Sequence, residues 1–220
     1  MSNELFNMFE MLERMMIVKK NGDQEKDKNT DYPIEHYFCK GITKIGINVV
    51  LKYFDTFMKL SGLPIISVGS GSGAFEKYLD EKFKTNIICV DPLKEIYIET
   101  SQKYQKKPAF PYVHDLIKIN SHYIGNCMLI LNWCEPNRST YDYDAIKLLK
   151  PNFLFLITEP SGTASGNKFL NWLSKCGINV ACDKESIDIN PYQLIQEYHV
   201  DGKDQFGWHT WHTVAILANK

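Results

Sequence analysis

The stretch Pro64-Ile-Ile-Ser-Val-Gly-Ser-Gly-Ser-Gly73, with Asn86-Ile-Ile-Cys-Val-Asp91 after it, decides the architecture. A compact apolar run breaks at a glycine-rich turn. A helical segment follows from Ala74 to Phe83, and a second apolar run ends on an acid. Without Cβ atoms, glycines let the backbone come close to a ligand, and the first turn of the helix offers it free N–H groups. Asp91 falls about 20 residues after the turn begins, the spacing at which a carboxylate on the second strand reaches ribose hydroxyls. A lone glycine run marks only a tight turn. The ordered set of strand, turn, helix, strand and acid is far more specific.

Downstream, the cycle repeats. A helix is expected around Lys94 to Tyr104, a short strand near Tyr112–Val113 and a strong strand at Cys127-Met-Leu-Ile-Leu131. A helix from about Tyr141 to Lys150 has Ser139 and Asp142 in capping-box spacing and Pro151 after its end. The strand Phe153-Leu-Phe-Leu-Ile157 and a helix near Lys168 to Ser174 follow. Short, continuous apolar runs alternating with helices fit a parallel sheet covered on both faces. The tail differs: Tyr192 to Val200 and Thr213 to Ala218 read as two strands with no helix between them, hence as antiparallel neighbours. The expected fold class is therefore α/β.

Upstream, Leu5, Met8, Phe9, Leu12, Met15 and Met16 share one helical face. Asn21 to Thr30 is polar, and helical periodicity returns from Pro33 to Leu60, with Gly41 and Gly46 as possible breaks. The expected division is an N-terminal helical cap over 1–60, with a flexible linker at about 21–32, and a ligand-binding domain over 61–220.

Bulk properties narrow the classes. With 220 residues, 44% hydrophobic and 23% charged, the chain suits one globular domain plus an appendage. Twenty-five basic against 26 acidic side chains argue against extended binding to a nucleic-acid duplex, and the Lys103, Lys106, Lys107 cluster reads as solvated surface. The six cysteines form no C-x-x-C pair, so no metal site is expected and a reducing, cytoplasmic location is. Acids at Glu4, Glu10 and Glu13 do not suit a signal peptide, and no apolar run is long enough to span a bilayer.

On these motifs the sequence from Pro64 to Lys220 resembles the class I S-adenosylmethionine-dependent methyltransferases. The resemblance implies a Rossmann-like, mostly parallel seven-stranded sheet with helices on both faces and a terminal antiparallel pair. It implies S-adenosylmethionine as cofactor. Ser67-Val-Gly-Ser-Gly-Ser-Gly73 is similar to the family's first motif, so Ser67, Gly69, Ser70, Gly71 and Gly73 would lie against the methionine part. Asp91 would hold the ribose and Asp115 the adenine amino group. Leu131-Asn-Trp-Cys-Glu-Pro136 would place Asn132 and Trp133 beside the transferable methyl group, and Lys150 to Ile157 resembles the "LKPGG" entry to the fifth strand. Two departures stand out. The family usually has Asp or Glu where this chain has Ser67, and the fourth motif is not the Asn-Pro-Pro-Tyr of nucleobase and glutamine amino-methylases.

For catalysis the expected residues are Asn132, to orient an acceptor, and Glu135 or His209 as base. Glu159 is a weaker alternative. His209 belongs to Trp208-His-Thr-Trp-His-Thr213, which reads either as a pocket lining or as an edge hairpin whose aromatics cap the core. The acceptor stays unidentified, with a small molecule preferred over protein or RNA, and oligomeric state is left open. Two other readings remain. Gly69, Gly71 and Ala74 also fit G-x-G-x-x-A, the fingerprint of NAD(P)-dependent oxidoreductases, and the fold also serves as a non-catalytic binding scaffold.

Overall fold

The computed structural model describes residues 44–70, 73–91, 113–114, 119, 121–132, 140–158, 167–178, 192–203 and 209–219. The expected cap up to residue 43, the linker and the Lys94 to Tyr104 helix lie outside these residues. In chain order the elements are α1 (Lys44–Ser61), β1 (Ile65–Val68), α2 (Ala74–Phe83), β2 (Ile87–Val90), β3 (Val113–His114) and β4 (Met128–Asn132). They continue with α3 (Tyr141–Leu149), β5 (Phe153–Thr158), α4 (Asn167–Lys175), β6 (Gln193–Lys203) and β7 (His209–Ala218). Gly46 does not interrupt α1, which runs as one continuous helix to Ser61.

The strands form one sheet in the order β3-β2-β1-β4-β5-β7-β6. β1 to β5 are parallel, and β7 is antiparallel to both β5 and β6. The sheet is thus mixed. Its central strands are buried on both faces, and alternate side chains feed two cores. Met128, Ile130, Phe153, Phe155 and Ile157 pack with Phe54 and Phe57 of α1 and with Phe75 and Leu79 of α2. Leu129, Leu131, Leu154 and Leu156 pack on the other side with Ile146 and Leu149 of α3 and Phe169 and Trp172 of α4. The period-2 alternation of strand side chains sends each residue of these apolar runs to one core or the other. Phe54 meets Phe155 edge-on with centroids 5.6 Å apart, and Phe57 meets Phe153 in the same way at 5.0 Å. Helix α1 therefore shares the core of the 61–220 unit.

Helix ends are defined by local geometry. α3 is capped from Thr140 rather than Ser139: the Thr140 carbonyl accepts from Asp144 N–H at 2.7 Å, and its hydroxyl donates to the Asp144 carboxylate at 2.6 Å. Asp142, the expected capping-box partner, is buried and accepts instead from Tyr143 N–H at 2.7 Å. The reciprocal bond needs the acid three residues after the cap, and a cap at Thr140 breaks that register. Lys84 and Lys150 end α2 and α3 in the left-handed conformation that usually belongs to glycine.

Candidate functional site

The order in which the chain adds strands reverses between β1 and β4: β2 and β3 lie to one side, β4 and β5 to the other. In such sheets ligands bind outside the carboxyl ends of the strands at this switch point. The register fixes what stands there. Val90, Val68 and Leu131 pair in one transverse row, so the next row carries Asp91, Gly69 and Asn132 side by side. With strands about 4.8 Å apart, these three residues span roughly 10 Å. Asp91 is buried and Asn132 half-buried.

The turn after β1 is tied to β2. The Val90 carbonyl accepts from Gly69 N–H at 2.8 Å, Ser70 N–H at 3.2 Å and the Ser70 hydroxyl at 3.2 Å. Ser70 then accepts from Gly73 N–H at 2.8 Å, closing the turn. Gly69 (φ 77°) and Gly73 (φ 72°) both adopt left-handed backbone, and Gly73 is the N-cap of α2. A side chain at either position would be strained, which is why the chain uses glycine there. The Tyr141 ring lies against Gly69, so close that a Cβ would meet the tyrosine hydroxyl at 2.9 Å.

Beneath the turn lies a buried acid. Ser67 donates its hydroxyl to Glu76 Oε1 at 2.6 Å, and Glu76 is 1% exposed. Its other oxygen, Oε2, has no hydrogen-bond partner among the described residues. Burial pushes the Glu76 carboxyl from its ordinary 4.5 up to about 7; the Ser67 bond and the residue's own backbone N–H oppose the rise, and the charges of Asp91 and Asp80 add to it. Asp80 has a structural task, accepting from Thr85 Oγ1 at 2.6 Å and from Ile87 N–H at 3.0 Å to fix the α2–β2 connection.

Of the sequence-predicted residues, Ser67, Gly69, Ser70, Gly73, Asp91 and Asn132 lie at this carboxyl edge. Gly71, Asp115, Trp133, Glu135 and Glu159 lie outside the described residues. His209 opens β7, whose backbone alone is described there. β7 leaves β5 after the Thr158–Thr213 pair, and its first residues pair only with β6, from Val200–His212 to Lys203–His209. Because β7 runs antiparallel, this overhang extends beyond the carboxyl end of β5, on the edge that carries Gly69 and Asn132. Two residues escaped the sequence reading, Glu76 and Tyr141. Glu76 had a signal: with Leu79 and Phe83 it falls at i, i+3 and i+7, an acid on a helix's apolar stripe. Tyr141 had none, because its approach to Gly69 joins two distant segments. Among the described residues no three His, Cys, Asp or Glu side chains group to hold a metal, and no helix is long and apolar enough to cross a membrane.

No family model and no curated protein matches the chain. Several solved structures are similar to it. The methyltransferase domain of bacterial CtHen1-CN is 12% identical, with 78% of this chain and 99% of that one covered and a TM-score of 0.46. Magnesium protoporphyrin IX methyltransferase from Synechocystis PCC 6803 with bound SAH is 14% identical, with 96% and 95% covered and a TM-score of 0.43. A protein from Pyrococcus horikoshii proposed to be an RNA methyltransferase is 11% identical, with 94% and 97% covered and a TM-score of 0.44. At such identities and TM-scores the likeness says nothing of reaction or substrate.

Proposed function

We propose that the protein is an S-adenosylmethionine-dependent methyltransferase, on the single observation of a glycine turn flanked by the buried acids Asp91 and Glu76 at the switch point of the sheet. S-adenosylmethionine carries a ribose for Asp91 and positive charge that suits an acidic cradle, so the residues present fit it. Asp91 would suit the ribose of either cofactor, but a dinucleotide brings a negatively charged pyrophosphate to this turn, where the buried Glu76 carboxyl is an unfavourable neighbour. The sheet also counts against the oxidoreductase reading. The dinucleotide order 3-2-1-4-5-6 continues in parallel beyond its fifth strand, whereas here antiparallel β7 takes that place.

In this reading Ser67, Gly69, Ser70, Gly71 and Gly73 shape the methionine end of the pocket. Asp91 takes the ribose, Asp115 the adenine, and Asn132 and Trp133 border the reacting centre. The cofactor, when bound, supplies an activated methyl group for in-line displacement. The chain's task is then to align an acceptor and exclude water. Asn132 orients the acceptor, and Glu135 or His209 removes its proton where its pKa is high. A small-molecule acceptor is the reading that the near-neutral charge of the chain supports. A reducing, cytoplasmic setting is part of the reading, in keeping with the buried thiols of Cys89 and Cys127.

Titration with S-adenosylmethionine, S-adenosylhomocysteine and NAD(H), following the thermal midpoint, tests the reading. A ligand that binds only the folded state raises the midpoint. A rise with the two adenosyl ligands alone is expected. A rise with NAD(H) alone would overturn the assignment.

A further inference from the structure

The buried carboxyl of Glu76 has no evident structural partner for its second oxygen. Ser67 satisfies Oε1, and Oε2 is left without a hydrogen bond among the described residues, in a position shut off from solvent. A buried, half-satisfied carboxyl costs free energy unless something else meets it. The charged groups that act on it, Asp91 and Asp80, are both acids and add to that cost. A structural cap of α2 does not call for burial, since acids in the first helical turn serve well at the surface. The arrangement is a buried carboxyl with one oxygen bonded and one unmatched.

We propose that Glu76, reaching from α2 and held by the Ser67 hydroxyl, is the residue that binds the ammonium group of the cofactor's amino-acid head. The proposal rests on the S-adenosylmethionine reading and deepens it. The departure at position 67 becomes intelligible. Where the resembling family carries an acid on β1, this chain has a hydroxyl there, bonded to an acid in the first turn of α2. Gly69 and Gly73 hold left-handed backbone beside this pair, and what lies over Gly69 is the tip of the Tyr141 side chain rather than backbone. Binding the ammonium group ionises the carboxyl and releases a proton near neutral pH, because the free carboxyl still holds one in part there.

The test is calorimetric titration of wild type and Glu76→Gln with S-adenosylhomocysteine, which has the amino-acid head, and 5′-methylthioadenosine, which lacks it. Glu76→Gln is expected to weaken S-adenosylhomocysteine by about ten- to a hundred-fold, the worth of a hydrogen bond to a charged group. It should leave 5′-methylthioadenosine within about twofold, which a merely structural role for Glu76 would not do. The paired exchange Ser67→Asp with Glu76→Ser returns the acid to the strand and is expected to restore most of the loss. Titrations in two buffers of different protonation enthalpy at neutral pH should also reveal a proton released by wild type and not by Glu76→Gln. Wild type should release no proton on binding 5′-methylthioadenosine, a comparison that needs no variant to fold. Equal weakening of both ligands, unchanged affinity for S-adenosylhomocysteine, or no proton release overturns the assignment of Glu76 while leaving the cofactor in place. A wild-type protein that binds neither ligand overturns the cofactor reading and this one with it.

Discussion

At the scale of single residues, the turn after β1 concentrates the site's requirements. Gly69 holds φ 77° while its amide donates to Val90 and the Tyr141 ring closes over it. The tip of a tyrosine can swing aside; a left-handed φ cannot relax without breaking the tie to β2. Gly69→Ala is therefore expected to cost about 1–2 kcal/mol of stability and to weaken S-adenosylmethionine, measured by urea unfolding alongside ligand titration. An unchanged urea midpoint would mean that the backbone there is not constrained. Asp91→Ala tests the other end of the row. Its acid terminates β2 without belonging to the ladder, so the fold should survive while affinity falls by roughly ten-fold or more. Calorimetric affinity equal to wild type would remove Asp91 from the ribose.

At the scale of elements, most of the architecture was legible because it is local. Ala74–Phe83 emerges as the helix its periodicity predicts, and the runs ending at Val68, Val90 and Ile157 emerge as strands. Apolar side chains at period 2 or 3.6 need no tertiary information to choose a conformation. Ends were less legible. Gly46 looked like a break, but packing of Phe54 and Phe57 into the sheet outweighs the roughly 1 kcal/mol that a helical glycine costs. The α3 cap moved to Thr140, since several residue types cap about equally well and the chain direction selects among them. The left-handed C-cap at Lys150 leaves stability to be gained. Lys150→Gly is expected to stabilise the protein by roughly 0.5–1 kcal/mol, read as a higher urea midpoint with unchanged slope. A lower midpoint would mean that the lysine side chain carries a contact worth more than the backbone strain.

At the scale of the whole molecule, stability and ligand binding meet at Glu76. Its carboxyl titrates near 4.5 when unfolded and near 7 when folded, so the folded state holds the proton more tightly. Stability from this group is full below pH about 4.5, declines as pH rises toward 7 and is level above, a change of roughly 3 kcal/mol. Glu76→Gln, which cannot ionise, should flatten that part of the profile and leave the ligand-free protein more stable than wild type at pH 8, measured by urea unfolding across pH. Parallel profiles for the two proteins would contradict the burial of an ionisable carboxyl. The sequence by itself determined the α/β alternation, the glycine turn with its acid and the antiparallel tail, because each rests on spacing along the chain. Only the tertiary structure decided that β7 lies between β5 and β6, that Tyr141 covers Gly69, and that Ser67 and Glu76 form a buried pair. Those depend on which segments the packing of two cores brings together, and one-dimensional spacing does not encode approach across the sheet.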